Sequence, residues 1–461
     1  MSENDKSKGP HRVVILGGGF GGVYTAVHLQ RLLGGGDDFE VVLVSRNNYF
    51  LMTPLLFEAG SGVLEPRHAV SPLRKLLTGR KVRFVEAAVE RVDFGKRVVY
   101  ARPPESNEVY DLPYDQLVVA LGGVTNTSLV PGAEHSMTFK TLGDAIYLRN
   151  HVIELFERAD VERDPRRKQA MLTFVIVGAG LVGVELVGEL TEFTANLSRS
   201  YPHVNRGDIR FELIEAGPHV LPELERDLAD YAVEVLKGRG VNVRTGSPVK
   251  RIEPGKVHLP DGGGNGTGGG SVVESQTVIV ATGVAPNPLL KDFDVEKDRK
   301  GKIATEPTMR SKSRPEVWAL GDCASIPDPS GKPYPPLAQH ALREARVLAG
   351  NIVAAVRGQP LQPFVYKSLG TLAALGHYKG VGRVTKFKVR GFAAWWVWRT
   401  YYLLQMPRWS RRFRIMLDWT TALLFKNDIV QLDLFGEGHP LERREGSGAD
   451  KSGGRVEEVI R

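Results

Sequence analysis

The sequence is poor in cysteine, and this scarcity excludes several kinds of redox protein. Cys323 is the only cysteine among 461 residues. A single thiol cannot supply an internal disulfide framework, a redox-active CxxC pair or the ligands of an iron–sulfur cluster. Electrons that enter this chain therefore cannot pass to a protein disulfide.

Long apolar runs and recognisable leader segments are missing as well. No stretch reaches 18 consecutive apolar residues, so we predict no membrane-spanning helix. The first ten residues, MSENDKSKGP, are polar, and we expect neither a secretory signal nor a transit peptide there. No cluster of His and carboxylate residues has metal-ligand spacing, so we predict no metal site.

The composition is otherwise that of a globular protein. Apolar residues make up 42% of the chain and charged residues 25%, and the length suits two or three domains. The net charge is +8 and the isoelectric point about 9.3. An anionic partner is therefore plausible: nucleic acid, a membrane surface or a charged ligand.

A glycine cluster near the N-terminus follows a short apolar run at residues 13–16 and precedes a helical pattern. Gly17, Gly19 and Gly22 stand in GxGxxG register. Such glycines permit a tight turn, a close approach to a pyrophosphate and close packing of helix on strand. The helix N-terminus then faces the phosphates.

A second copy of this pattern lies at Gly178, Gly180 and Gly183, which predicts two bound dinucleotides. The strand after it ends at Glu215, whose carboxylate can accept bonds from both ribose hydroxyls and would repel a 2′-phosphate. We therefore expect NADH to be preferred to NADPH. The corresponding position in the first copy is Ser45, a departure from the usual acidic residue.

The strands that close the two units also match. LVVALGG (117–123) and VIVATGV (278–284) are both buried-strand patterns that end in glycine, and ALGDC (319–323) follows later with Asp322 at a strand end. An aspartate there can bind a ribitol hydroxyl of FAD. The fold class is therefore α/β, with two Rossmann-like dinucleotide-binding domains and a chain that returns to the first domain.

Aromatic and basic residues are concentrated near the C-terminus. Residues 391–426 hold five of the six tryptophans, and residues 377–426 hold eleven Lys or Arg against one acidic residue, Asp418. Arg399 interrupts the apolar run and Pro407 breaks the helix, which predicts two short amphipathic helices lying on a membrane surface. A buried hairpin or a dimer interface would be the simpler alternative. Nucleic-acid binding explains the charge but not the tryptophans, and we predict none.

The ordered motifs GGGFGG, LVVALGG, VGAGLVGVE, VIVATGVAPNP and ALGDCA resemble the two-dinucleotide-binding-domain flavoprotein oxidoreductases over about residues 11–375. In that family the first unit binds FAD and the inserted second unit binds NAD(P)H. RNNYFLMTPLLFEAGSG, GVELVGEL, PPLAQHALREA and the C-terminal segment resemble the type II NADH dehydrogenases in particular. Those are single-subunit, non-pumping NADH:quinone oxidoreductases.

The resemblance implies a domain organisation. Residues 11–139 and 285–375 would bind FAD, residues 140–284 would bind NADH, and residues 376–435 would associate with the membrane. We expect residues 1–10 and 436–461 to be disordered.

The resemblance also implies site residues. Glu185 would lie near flavin and nicotinamide, and Gln339 would lie at the quinone site; Arg343 stands where a second glutamine is frequent, so it would either bond a quinone carbonyl or mark a different acceptor. The expected cofactor contacts are Gly17, Gly18, Gly19, Phe20, Gly21, Gly22, Ser45, Ala120, Gly122, Gly178, Gly180, Leu181, Gly183, Glu215, Gly283, Gly321, Asp322 and Gln339.

The predicted function is therefore transfer of a hydride from NADH to FAD and of two electrons to a lipid-soluble quinone. The predicted location is the cytoplasmic face of a bacterial plasma membrane, held peripherally, with a homodimer possible. Two alternatives use the same scaffold: a soluble NADH:ferredoxin or rubredoxin reductase, and a flavin-containing redox sensor. A sulfide:quinone reductase would need cysteines near the flavin.

Overall fold

A computed structural model describes residues 10–34, 38–79, 81–260, 271–425 and 428–432. The predicted disordered tail at 436–461 lies outside these residues, as does all but Pro10 of the predicted disordered N-terminus. The α-helices are α1 (Phe20–Leu33), α2 (Leu56–Gly60), α3 (Leu73–Leu76), α4 (Leu142–Val161), α5 (Pro165–Met171), α6 (Leu181–Leu197), α7 (Arg226–Gly238), α8 (Ala338–Val356), α9 (Gly391–Gln405) and α10 (Trp409–Leu424).

The strands before the second glycine cluster are β1 (His11–Leu16), β2 (Phe39–Ser45), β3 (Tyr49–Leu51), β4 (Val70–Pro72), β5 (Val82–Glu86), β6 (Ala88–Asp93), β7 (Val98–Arg102), β8 (Tyr110–Pro113), β9 (Gln116–Val119), β10 (Gly123–Thr125) and β11 (Thr173–Val177). The later strands are β12 (Arg210–Ile214), β13 (Val241–Arg244), β14 (Arg251–Glu253), β15 (Lys256–His258), β16 (Val272–Glu274), β17 (Thr277–Val280), β18 (Val284–Pro286), β19 (Ile303–Ala304), β20 (Val317–Ala319), β21 (Ala324–Ser325), β22 (Gly370–Ala374), β23 (Gly380–Val384) and β24 (Phe387–Arg390).

The first parallel sheet has the order β20-β9-β1-β2-β5. Its strands are nearly continuous apolar runs because helices or loops cover both faces of a parallel sheet. Trp318 of β20 is fully buried beside β9 and donates its indole N–H to Gln116 Oε1 at 2.7 Å. β20 follows the strands of the second domain along the chain, so the first sheet is built from two separate chain segments.

The second parallel sheet has the order β13-β12-β11-β17. It lies between the first four strands of the other sheet and its last strand along the chain. The fold class is thus the predicted α/β pair of Rossmann-like domains, with the second inserted in the first.

The chain crosses between the two domains at the antiparallel pair β10–β18. Just after β10, Pro131 accepts a backbone bond from Ile252 at 2.8 Å, and Met137 donates one to Val278 at 2.8 Å. Residues 131–137, which the sequence places in the first domain, therefore contact the second. The boundary at 139/140 stays a prediction.

The C-terminal unit consists of the antiparallel sheet β22-β23-β24 followed by α9 and α10. It packs directly on α6, because Gly188 has no side chain: a Cβ there would lie 2.6 Å from the Leu375 carbonyl carbon. No helix among the described residues is long and apolar enough to cross a membrane.

Candidate functional site

The first glycine loop leaves the N-terminus of α1 open. Gly17 has φ +112°, and a Cβ there would stand 2.2 Å from the Ala120 carbonyl oxygen. A Cβ on Gly22 would stand 1.9 Å from the Gly17 carbonyl oxygen. Gly19 is the helix N-cap, makes no side-chain cap and has no atom within 4 Å of its Cβ position. The unpaired N–H groups of this helix end can therefore receive an anion.

The second glycine loop repeats this geometry. Gly178 has φ +104°, and a Cβ on Gly183 would meet the Gly178 carbonyl oxygen at 1.9 Å. Gly180, the N-cap of α6, has only the Glu223 carboxylate near its Cβ position, at 3.9 Å. This helix end opens into a cleft of about 1050 Å³. Its wall includes the predicted contacts Gly178, Gly180, Leu181, Glu215 and Gly283.

Glu215 and Ser45 stand at the end of the second strand of their units and have different hydrogen-bond partners. Glu215 accepts the Ala179 and Gly217 backbone N–H groups, both at 2.7 Å, and so stands at the second glycine loop. Ser45 is buried and accepts the Asn47 N–H at 3.3 Å. A Cβ on Gly18 would lie 2.5 Å from Ser45 Oγ, so the first loop packs directly on this serine.

Asp322 lies where the chain returns to the first sheet. It follows Gly321, which has φ +73°, and is 3.4 Å from Lys140 Nζ. Glu344 of α8 accepts the Gly321 N–H at 2.8 Å and fixes this turn. Burial raises the pKa of Glu344 to about 7. Helix α8 begins at Ala338 without a side-chain cap, so its first N–H groups are also available to a ligand.

Gln339 lines a second, mainly apolar pocket of about 200 Å³. The pocket joins the first glycine loop, α8, the C-terminal sheet and α9, and its wall includes Phe20, Met52, Leu181, Leu337, Gln339, Leu342, Leu372, Val397, Tyr401, Tyr402 and Gln405. Arg343 is not part of the wall of this pocket or of the larger cleft. Its Nη1 donates to the Gln339 backbone carbonyl oxygen at 2.8 Å, so the guanidinium contacts the backbone of α8.

Glu185 is buried and lines neither cavity. Its Oε1 accepts the Ala374 N–H at 3.0 Å and the Trp398 indole N–H at 2.9 Å. Burial raises the pKa of Glu185 to about 8, although both hydrogen bonds oppose the shift. The contact with nicotinamide therefore stays a prediction, and the contacts that the structure gives are with β22 and α9.

Sequence reasoning missed a buried ionic cluster next to Glu185. Glu189 lies one turn further along α6 and accepts the Ser61 hydroxyl at 3.2 Å; burial and the nearby Glu58 raise its pKa to about 7. Glu58 pairs with Arg399 at 2.9 Å and accepts the Trp419 indole N–H at 2.6 Å. Two glutamates at i and i+4 among the apolar residues of the first half of α6 were the available signal.

Cys323 has no redox role in this arrangement. It is fully buried, its thiol bonds the carbonyl oxygens of Val119 and Leu320, and burial raises its pKa to about 11. A thiolate is the reactive form of cysteine, so this residue is inert. Among the residues that the structure describes, no group of three His, Cys, Asp or Glu could hold a metal ion.

The predicted pair of C-terminal helices is present, with Pro407 between α9 and α10. The tryptophans divide into two sets, however. Trp395 and Trp398 are buried, whereas Trp396 and Trp409 are 55% and 72% exposed. Trp398 thus packs in the core, Trp396 and Trp409 face solvent, and the membrane contact of the two helices stays a prediction. Arg399, expected only to interrupt the apolar run, is buried with Glu58.

The chain is similar to known protein families along most of its length. Residues 11–345 match the family model described as pyridine nucleotide-disulphide oxidoreductase, and residues 368–428 match the NDH2 C-terminal domain. The chain belongs to the type II NADH dehydrogenase family. The predicted family is thus confirmed, and the C-terminal match covers β22–β24, α9 and α10.

Several relatives cover nearly the whole chain. A probable NADH dehydrogenase of Dictyostelium discoideum is 31% identical over 91% of this chain and 90% of its own length. A type II NADH:quinone oxidoreductase of Mycobacterium tuberculosis is 29% identical, with 90% and 88% covered. Demethylphylloquinone reductase NdbB of Synechocystis is 32% identical, with 90% and 96% covered.

Solved structures show the same fold. NDH2 from Plasmodium falciparum in complex with NADH superimposes with a TM-score of 0.84 at 20% identity, over 91% of this chain and 99% of that chain. The sulfide:quinone oxidoreductase of Aquifex aeolicus superimposes with a TM-score of 0.66 at 19% identity, over 91% and 96%.

Proposed function

We propose that this protein is an FAD-dependent, non-proton-pumping NADH:quinone oxidoreductase that works at a membrane surface. The observation that carries the proposal is that the cleft at the second glycine loop and the apolar pocket at the first share a wall. Five residues line both cavities: Leu181, Leu337, Gly370, Thr371 and Arg383. A dinucleotide in the cleft and an apolar acceptor in the pocket would be separated only by this wall and by the flavin bound beside it.

The residues of the first domain fit FAD. Gly19 leaves room for a pyrophosphate at the end of α1, and Asp322 stands at a strand end where a ribityl hydroxyl can be bonded. When bound, FAD accepts a hydride equivalent and passes two electrons on. The chain fixes the position of this cofactor. Glu344 holds the Gly321 turn by a hydrogen bond, and the uncapped N-terminus of α8 faces the same turn.

The second domain binds NADH in the larger cleft. Gly180 leaves the end of α6 open for the pyrophosphate, and Glu215 receives the adenosine ribose. The Glu223 and Glu225 carboxylates line the same cleft. Glu215 and Glu223 disfavour the additional phosphate of NADPH because like charges repel, whereas the Glu225 charge is compensated by Arg383 and Lys388.

The electron acceptor is a lipid-soluble quinone in the apolar pocket. Aromatic and aliphatic side chains form most of its wall, while Gln339 and Gln405 supply amide groups for the carbonyl oxygens. The pocket is bounded by α9, so an isoprenoid tail can leave along this helix. A soluble ferredoxin-type reductase is not favoured, because the C-terminal domain that forms this wall belongs to the NDH2 type.

The membrane contact is made by the outer face of α9 and α10. Trp396, Trp409 and Phe413 are at least half exposed there. Arg408 and Arg414 flank Arg411, whose pKa is lowered by its burial and by these like charges. Aromatic rings beside uncompensated arginines suit the interface of an anionic bilayer. The cytoplasmic face of a bacterial plasma membrane and the homodimer stay predictions.

Anaerobic stopped-flow tests the reaction. The flavin of the purified holoenzyme is reduced with NADH and then mixed with a short-chain quinone, and flavin absorbance is followed. We expect reoxidation within the turnover time. A flavin that NADH reduces quickly but that stays reduced in the presence of quinone would contradict the proposal and favour a protein acceptor or a redox sensor.

Flotation with vesicles tests the membrane contact. We expect the protein to float with vesicles of phosphatidylglycerol and phosphatidylcholine and to float less after Trp409→Ser. An unchanged fraction in that variant, or equal flotation with pure phosphatidylcholine at low salt, would contradict the role assigned to α10.

A further inference from the structure

Arg343 stands where the family frequently has a second glutamine, and the structure gives it an unexpected neighbour. Its guanidinium carbon lies 4.5 Å from the centre of the Tyr366 ring. Its Nη1 also holds the Gln339 carbonyl oxygen. The guanidinium group is thus held by two contacts, and Arg343 lines neither cavity.

Tyr366 in turn holds the side chain of Gln339. The Tyr366 hydroxyl donates to Gln339 Oε1 at 3.3 Å and accepts the Leu369 N–H at 3.3 Å. The Tyr366 N–H donates to the Tyr334 hydroxyl at 3.1 Å, and the His340 ring packs on the Tyr366 ring at 5.4 Å between centroids. Tyr366 is therefore held by the backbone, by a second tyrosine, by a histidine and by the arginine.

The bonds of Gln339 show what this arrangement determines. Its Oε1 accepts from Tyr366, while its Nε2 donates to Ser368 Oγ at 3.1 Å and to the Gly370 carbonyl oxygen at 3.3 Å. A hydroxyl donor on one side of an amide fixes which side carries the oxygen. The N–H side of Gln339 consequently faces Gly370, and Gly370 lines both cavities. Both hydrogens of Nε2 are engaged by Ser368 and Gly370, so a quinone carbonyl, which accepts hydrogen bonds, would take over one of these two bonds.

We propose that Tyr366 is a positioning residue for the electron acceptor, that it acts by orienting the Gln339 amide, and that Arg343 acts only by stacking on Tyr366. The inference rests on the proposed quinone reductase function. It replaces the hypothesis that Arg343 bonds the quinone itself, and it explains how an arginine serves at a position where glutamine is frequent.

The test is steady-state kinetics of Tyr366→Phe, Tyr366→Leu, Arg343→Met and Arg343→Lys, with Tyr110→Phe as a matched control. Tyr110 lies in β8 and is well exposed. Tyr366→Phe loses one hydroxyl donor, and we expect the KM for a short-chain quinone to rise roughly three- to tenfold with little change in kcat. The KM for NADH and the rate of flavin reduction by NADH should not change, because Tyr366→Phe keeps the ring that lines the larger cleft, and Gln339 lines only the apolar pocket.

Arg343 should matter only through the Tyr366 ring. We expect Arg343→Met to raise the quinone KM, Arg343→Lys to recover part of that loss, and Arg343→Met to have no further effect in the Tyr366→Leu background. Flavin content and the visible spectrum of each variant establish that it is folded. Should Tyr366→Leu not fold, the comparison of Arg343→Met with Arg343→Lys still decides whether the cation is needed.

Four outcomes would contradict the proposal or the function on which it rests. An unchanged quinone KM in Tyr366→Phe would show that its hydroxyl does not orient Gln339. Multiplying effects of Arg343→Met and Tyr366→Leu, or no recovery in Arg343→Lys, would show that Arg343 does not act through the ring. A wild-type flavin that quinone does not reoxidise would remove the proposed function itself, and this outcome is independent of every variant.

Discussion

The two glycine loops of this protein have the same internal contacts. They differ in their contacts with other parts of the chain. Gly22 and Gly183 are both pressed against the carbonyl of the first loop glycine, at the same 1.9 Å for a Cβ. Gly21, by contrast, lies under Leu320, which would stand 3.0 Å from a Cβ. Its counterpart Val182 is 38% exposed.

The cause of this difference is the strand that returns to the first sheet. β20 adds a fifth strand and brings Leu320 over the first loop, whereas the second sheet ends at β17. A glycine is therefore needed at position 21 for space, and a valine is tolerated at position 182.

The helices that follow the loops differ in a related way. Two residues after the last loop glycine, α1 has Tyr24 and α6 has Glu185. The Tyr24 hydroxyl bonds the Gln405 carbonyl of α9 at 3.5 Å, and Glu185 bonds Trp398 of the same helix. One C-terminal helix thus joins both nucleotide domains at equivalent positions, but the second contact is a buried carboxyl that can ionise.

Alanine at the last loop glycine should give the largest effect. We expect both Gly22→Ala and Gly183→Ala to cost about 4 kcal/mol or more, because the new Cβ meets backbone that cannot move away. Gly22→Ala should lose FAD, and Gly183→Ala should keep FAD but lose NADH binding. Chemical unfolding and flavin content measure this.

Gly350→Ala serves as the control, since nothing lies within 4 Å of its Cβ position and the residue is inside α8. It should be neutral or stabilising by up to about 1 kcal/mol. Equal flavin content in Gly22→Ala and Gly183→Ala would break the assignment of one nucleotide to each loop.

The buried carboxyl of α6 should make stability depend on pH. The pKa of Glu185 is raised to about 8 in the folded chain, above its ordinary value near 4.5. Its contribution is fully present below pH 4.5 and is lost as the pH rises toward 8, because only the unfolded state then releases the proton freely. We expect Glu185 to contribute a loss of about 3 kcal/mol of unfolding free energy between pH 5 and pH 8, and Glu189 and Glu344, whose pKa values are raised to about 7, to add to the loss in the wild type.

Glu185→Gln keeps an oxygen for Trp398 and Ala374 and should show a clearly smaller loss over the same range. Denaturant unfolding at several pH values measures it. Glu154→Gln, at an exposed site on α4, should follow the wild type. A steep pH dependence that survives Glu185→Gln would assign the titration to another group, of which Glu189 is the first to examine.

The strand-end residues should set the cofactor preference of the second loop. Glu215→Ser gives the second unit the residue of the first, and we expect the ratio of kcat/KM for NADH to that for NADPH to fall about tenfold. Glu234→Gln removes a charge from the exposed face of α7 and should leave the ratio unchanged. A ratio that Glu215→Ser does not alter would transfer the discrimination to Glu223, which lines the same cleft.

The smallest expected effect is the difference in stability between substitutions at Gly21 in the first loop and Val182 in the second. Gly21→Ala must displace Leu320 and should cost about 1 kcal/mol, whereas Val182→Ala at an exposed position should stay within about 0.5 kcal/mol. Thermal unfolding of the holoenzyme compares them. Equal costs would mean that the returning strand does not constrain the first loop.

The sequence by itself determined the two glycine loops, the α/β class, the return of the chain at Asp322 and the break between the C-terminal helices at Pro407. These features depend on local rules: a glycine where the backbone turns, an apolar run for a buried strand, a proline that ends a helix. The ordered motifs then indicated the family, which the comparisons confirmed.

Only the tertiary structure decided which way the side chains of the site point. Glu185 meets Trp398, a residue 213 positions away, and Glu58 meets Arg399, 341 positions away. Arg343 turns to Tyr366 instead of to a cavity. Such contacts depend on which distant elements become neighbours, and a sequence pattern with a period of two or 3.6 residues carries no information on that. Residue type could thus identify these side chains as candidates, but tertiary packing determines which residues they contact.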